Sequence, residues 1–243
     1  MTFGHATAIW KEHPTLVAGV LHVDGIEPDA DVDAHLVRLQ AVARERLDGS
    51  SGASFPEVQA WRRAFSRMGL EPTRYRSASE ALLRRFRTEG SLPRIHPLVD
   101  LCNATSLAFA IPVAVFDLDR VTGDLEVRPA TGDETSLSFR GEPEHPDPGE
   151  VIFADADRHA HARRWSHRQS GASAVRPGTR RALIVAEAMH DDALRDVEAL
   201  LSELAPAIAD AWGARTEQAL LRDAGSHFDA GSRFDARERS GRW

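Results

Sequence analysis

The sequence holds a single cysteine, Cys102. That excludes an internal disulfide and any zinc site built from several cysteines. It has no apolar run of 18 residues, so no helix is expected to span a membrane. The opening residues, MTFGHATAIWKEH, lack the basic start and apolar stretch of a signal peptide. A cytoplasmic protein is the simplest expectation. Lysine is all but missing, with Lys11 alone and arginine at every other basic position. A base-rich genome explains most of that bias, yet the guanidinium fork can still grip phosphate or carboxylate with two bonds. No metal site or cofactor is expected. His159 and His161 can share a strand face at i, i+2, but no third ligand can be assigned.

What is present is 243 residues, 42% of them hydrophobic, enough for one sizeable core or two small ones. A net charge of −7 argues against a general nucleic-acid binder, and no DNA partner is expected. The charge is unevenly spread. Asp133 to Asp157 holds eight acids and one Arg140, whereas Arg158 to Arg181 holds seven arginines and no acid.

Apolar periodicity sets out the elements. LVAGVLHVDGI (16 to 26) reads as a strand closed by a Gly turn. Residues 29 to 47, 55 to 69 and 77 to 90 have apolar positions three and four apart and read as amphipathic helices. Ser77 and Glu80 form a capping-box pattern, and Gly69 and Gly90 are stop signals. Residues 96 to 110 fit the helical period better than the strand period. Short strands follow at 112 to 118, 125 to 130, 136 to 139, 150 to 155, 159 to 165 and 181 to 188. A long helix spans 191 to 212, kinked or split at Pro206. Residues 226 to 243 have no evident buried face and read as a disordered tail. Helices, then strands, then a closing helix predict an α+β fold with a mixed or antiparallel sheet, and residues 1 to 225 are expected to form one domain.

The segments GLEPTRYRSASEALLRR, LPRIHPLVDLCNATSL, IPVAVFDLDRVTGDLEVRPATGDE and RRWSHRQS…TRRALIVAEA, in that order and spacing, resemble a free-standing B3/B4 domain over roughly residues 15 to 210. This is the editing module of the bacterial phenylalanyl-tRNA synthetase β subunit. The resemblance implies a twisted, half-barrel-like sheet with flanking helices. It implies recognition of aminoacyl-tRNA, with the acceptor end and the amino acid as ligands, and hydrolysis of a misacylated ester in trans. The other reading is a non-catalytic module that binds an amino acid, a small aromatic metabolite or RNA in the same pocket. Two departures stand out. Where the synthetase domain carries a His two residues before its Phe-Asp corner, this chain has Ala114, and RRWSHRQS replaces a Gly-rich segment. The synthetase reads the tyrosine hydroxyl with a Glu on a late strand, and Glu187 is the nearest match, shifted by two residues.

The candidate site follows. On a strand, Arg163, Trp165 and His167 would share one face, and Arg164, Ser166 and Arg168 the other. Trp165 can stack on adenine or an aromatic amino acid, Arg164 or Arg168 can hold terminal phosphates, and His167 can hold a water. Gln169, Ser170 and Asn103 join them as binding candidates, and His167 and Glu187 are the catalytic candidates. Against this stands a surface strand with a half-buried Trp and solvated arginines. Glu187 is either the first solvated position of its strand or a pocket acid. Asp117 and Asp119, in the FDLD corner, are expected to fix the following turn through side-chain-to-backbone bonds.

Overall fold

A computed structural model describes residues 1–231. Among these, the helices are α1 (Thr7–Glu12), α2 (Asp33–Leu47), α3 (Pro56–Arg67), α4 (Ala78–Glu89), α5 (Pro97–Phe109) and α6 (Ala193–Trp212). The strands are β1 (Thr2–His5), β2 (Val17–Asp24), β3 (Val113–Asp117), β4 (Leu125–Pro129), β5 (Ser136–Leu137), β6 (Pro143–Glu144), β7 (Val151–Ala154), β8 (Ala160–Arg163), β9 (Arg168–Gln169), β10 (Arg181–Ala188), β11 (Arg215–Leu221) and β12 (His227–Asp229). The fold is α+β. One sheet runs β11-β2-β10-β3, all antiparallel, and a second runs β12-β1-β4-β7-β8-β9 with β1 and β4 parallel. The strand orders are linear, so neither sheet closes into a barrel.

The first sheet is buried on both faces, and the strand period of two divides its side chains between two cores. Leu21, Val23, Val115, Ile184 and Ala186 face the helical layer of α2, α5 and α6. Ala18, Val20, Phe116, Leu183 and Val185 face the second sheet, with Phe3, Val127, Phe153 and Trp165, and Trp61 and Phe65 of α3. Gly19 lies where α6 crosses β2. A Cβ there would come within 2.6 Å of Val197 Cγ1, so glycine sets how closely the helix lies on the sheet.

The helix termini follow their signals in part. Ser77 Oγ accepts the Glu80 N–H at 3.3 Å, and Gly90 ends α4 at φ 75°. The reciprocal half of the capping box is missing, because the Glu80 carboxylate turns to Arg62 instead. α6 runs through Pro206 as one element, so the expected split does not occur.

The segment expected as a tail from residue 226 begins with a strand: β12 pairs with β1, and Phe228 is 7% exposed. The rest of that expected tail, 232 to 243, lies outside the described residues. β1, α1 and β11 have no counterpart in the periodic segments read from the sequence. β11 carries RTEQALL, four polar residues followed by three apolar ones with no strand alternation, and pairing to the edge of β2 decides its form.

The acidic and basic blocks meet. The Arg163 fork grips both oxygens of Glu150 at 2.9 and 2.8 Å and reaches Glu144 at 3.2 Å. Arg158 pairs with Asp133, Arg164 with Glu150 and Arg168 with Glu144. The uneven charge of the sequence is therefore largely internal pairing across the second sheet.

Candidate functional site

The two sheets enclose a pocket where the start of β3, the end of β10 and the turn between β8 and β9 converge. The cavity volume is about 60 Å³, and the space widens to about 400 Å³ when the open solvent at the mouth is counted. Pro112, Ala114, Phe153, Ala162 and Val185 make most of the wall, and Trp165 to Gln169 and Glu187 supply the rest of the lining, including most of its polar groups. The turn is not the strand that alternation predicts. Arg164 and Trp165 have φ of 48° and 58°, so the backbone reverses after Arg163 and the two expected faces do not form. The left-handed pair swings Trp165 inward while Arg164 stays at the rim.

Glu187 is 3% exposed. Its Oε1 accepts the indole N–H of Trp165 at 2.9 Å and Nε2–H of His5 at 2.7 Å. Its backbone oxygen accepts the indole N–H of Trp61 at 3.1 Å. Among the described residues Oε2 takes no protein donor, and Glu187 is one of the residues that line the pocket. A carboxylate fixed by two buried donors on one oxygen thus leaves the other free at a largely apolar cavity. The alternative of a solvated strand end is ruled out by this burial.

His167 is held differently. Its Nδ1 lies 2.7 Å from the carbonyl of Arg76, so that nitrogen carries the proton and Nε2 is the ring's acceptor. Tyr75 packs edge-on against the ring at 5.4 Å. Burial lowers its pKa, the Arg76 carbonyl pulls it up, and Arg164 and Arg168 lower it further. The imidazole is thus neutral at neutral pH. Next to it, the hydroxyl of Ser166 is buried on the pocket wall without a partner.

Of the residues singled out from the sequence, Trp165, His167, Arg168, Gln169 and Glu187 line this one pocket. Trp165 is fully buried and edge-on to Trp61 at 5.0 Å and to His13 at 4.9 Å, so it forms the floor rather than an open stacking platform. Gln169 donates to the Val115 carbonyl at 2.5 Å, closing the outer edge of β3. Arg164 stacks over Tyr75 at 4.9 Å and lines a neighbouring groove. Arg164 pairs with Glu150, and Arg168 pairs with Glu144. Ser170 is buried and bonded to both backbone groups of Leu137, and Asn103 stands on α5; neither lines the pocket. His96 caps α5 by accepting the Leu98 N–H. His5 and Trp61 were not among the candidates read from the sequence, whereas Ser166 stood in the candidate stretch without an assigned role.

The FDLD corner is structural. Asp117 accepts the Asp119 N–H at 3.1 Å and the Thr179 hydroxyl at 2.8 Å, capping the 3-10 turn Leu118–Arg120. Another polar cluster, Asp155, His161 and Ser173, has the composition of a nucleophilic triad, with links of 3.1 and 2.8 Å. His161 and Ser173 have no exposed surface, and neither lines the pocket at Glu187. Burial opposes ionisation of Asp155, but the His161 ring and the N–H groups of His159 and Thr122 outweigh it and hold the carboxyl well below its usual range. This cluster locks the β7–β8 turn.

Residues 60–202, more than half of the chain, match the B3/4 domain. The chain belongs to the B3/4 domain family. Every residue lining the pocket lies within the matched span, whereas His5 comes from outside it. Among solved structures, the chain is similar to an N-terminal fragment of the phenylalanyl-tRNA synthetase β-subunit from Pyrococcus horikoshii. The TM-score is 0.48 and the identity 10%, covering 91% of this chain and 54% of that one. The B3/4 chain thus spans about half the length of that fragment. No curated protein matches it.

Proposed function

We propose that this B3/4 protein receives the aminoacyl end of a tRNA in the pocket between Glu187 and His167 and directs hydrolysis of a misplaced amino acid's ester. The observation that carries the reading is Glu187, a buried carboxylate with one oxygen fixed and the other open to an apolar cavity. Such an acceptor selects a donor on the ligand, an α-ammonium or a side-chain hydroxyl, because a ligand without one leaves the carboxylate desolvated and unpaired. The apolar wall takes the rest of the amino acid. His167, neutral with Nε2 as acceptor, holds a water, receives its proton as the ester carbonyl is attacked, and passes that proton to the ribose oxygen as the ester C–O bond breaks. An ester is already activated, and orientation of water and carbonyl contributes up to ~7–11 kcal/mol without a nucleophilic side chain. Membership of the B3/4 family and the resemblance to the synthetase editing module support tRNA as the carrier.

The test is a panel of mischarged tRNAs incubated with the full chain. At least one ester is expected to be cleaved, and His167→Ala is expected to retain binding while losing turnover. An untouched panel at high protein concentration ends the hydrolase reading.

One observation favours a binding module instead. Ser166, the pocket's hydroxyl, has no base bonded to it. Under that reading the pocket holds a free amino acid, a small aromatic metabolite or RNA, and calorimetry shows saturable binding without turnover.

A further inference from the structure

We propose that Glu57, His190 and Asp196 form a site for one divalent first-row transition-metal ion. The three come from separate elements: Glu57 from the first turn of α3, His190 from just beyond β10, and Asp196 from the first turn of α6. One donor atom from each lies within 4.8 Å of the others. Tetrahedral ligands at about 2.1 Å from an ion stand ~3.4 Å apart, so modest side-chain rotation closes the set.

A second observation points to a ligand. Glu57 and His190 are 7% and 5% exposed, and each carries an orphaned polar atom, Oε2 and Nδ1 respectively. Arg46 occupies Glu57 Oε1 at 2.6 Å and leaves Oε2 unmet. His190 Nε2 and Asp196 Oδ2 already meet at 2.8 Å. Buried polar atoms are rarely left unpaired, and an ion on Glu57 Oε2 and one nitrogen of His190 would give that carboxylate oxygen the partner it lacks. One imidazole with two carboxylates suits Zn²⁺, Co²⁺ or Mn²⁺ better than Mg²⁺ or Ca²⁺, which take oxygen alone. Arg46 pairs with Glu57 and Arg195 with Asp196, so an incoming cation competes with two guanidinium groups for the carboxylates.

The full chain, stripped with chelator, is titrated with Zn²⁺, Co²⁺, Mg²⁺ and Ca²⁺ by calorimetry. Zn²⁺ and Co²⁺ are expected to bind one per chain and raise the Tm, and Co²⁺ to show the d–d absorption of a low-coordinate site. Glu57→Gln and Asp196→Asn are each expected to abolish these signals. If Glu57→Gln does not fold, Asp196→Asn decides, because its side chain is partly exposed and its loss is tolerable. No uptake of Zn²⁺ or Co²⁺ at millimolar concentration overturns the proposal. So does uptake that survives in a folded variant, or uptake of Mg²⁺ and Ca²⁺ alone.

Discussion

Replacing Glu187 by glutamine separates the two jobs its carboxylate performs. The amide oxygen can still accept from Trp165 and His5, so the buried donors stay paired. The amide nitrogen then occupies the place of Oε2 and turns an acceptor into a donor at the pocket. Unfolding stability should therefore fall by no more than about 1–2 kcal/mol, the difference between a charged and a neutral hydrogen bond at Oε1. Ligand affinity should fall much further, because a ligand donor now meets a donor. Loss of a charged hydrogen bond, about 1.5–3 kcal/mol, weakens binding by roughly ten- to a hundredfold. Glu187→Ala behaves differently. It orphans two buried N–H groups, each costing about 1–3 kcal/mol, and opens a cavity, so stability and binding fall together. Urea unfolding and calorimetry against a set of free amino acids and mischarged tRNAs read both quantities. A glutamine variant that folds like wild type and binds equally well would show that Oε2 anchors no ligand. A glutamine variant as unstable as the alanine one would show that the charge itself, not the acceptor, holds the two donors.

Gly19→Ala should lower stability by about 1–3 kcal/mol through overpacking against Val197 and Leu201, read as a lower urea midpoint; no change would mean that α6 is not fixed on β2 as described. Ser77→Ala should cost about 1 kcal/mol through loss of the α4 cap, and an unchanged Tm would discount that bond. His13 is driven down to about 4, first by burial and then by Arg67. The unfolded chain takes that proton near pH 6.5 and the folded one resists it, so stability drops as pH falls from about 6.5 to about 4, by as much as ~3 kcal/mol. His13→Gln should flatten that part of the profile, and parallel curves for variant and wild type would refute the assignment.

The readable parts of the chain were those where local pattern and tertiary role coincide. α3 announces itself through Val58, Trp61 and Phe65, because the same face that sets the period is the face that is buried. β10 reads as a continuous apolar strand because both its faces are covered. β1 and β11 were not readable, since four and seven residues of ordinary polarity become strands only when a partner edge is present. His5 was lost with β1. The RRWSHRQS segment shows the opposite failure. Its alternation of large and polar residues matches a strand, but two consecutive left-handed residues, neither of them glycine, reverse the chain. Sequence reasoning has no rule that puts a Trp at φ 58°; the burial of its ring and its bond to Glu187 hold it there.

That placement bears on why an acid stands at 187. Trp165 and His5 present two N–H donors between the sheets, and the core needs an acceptor for them. A glutamine would meet that need without a charge, and an ionised carboxyl among Phe153, Val185 and Trp61 carries a desolvation penalty a neutral amide avoids. Packing alone therefore gives no reason for the negative charge. Its field is felt most where the dielectric is lowest, at the floor of the pocket, and it is strongest for a cationic or strongly donating group entering from the mouth. The strained turn at Arg164 and Trp165 supplies one donor and the N-terminal strand the other, so two distant segments hold one oxygen and leave the second for a guest. A pocket meant only to be filled by core side chains has no use for that asymmetry; one that admits a ligand donor does.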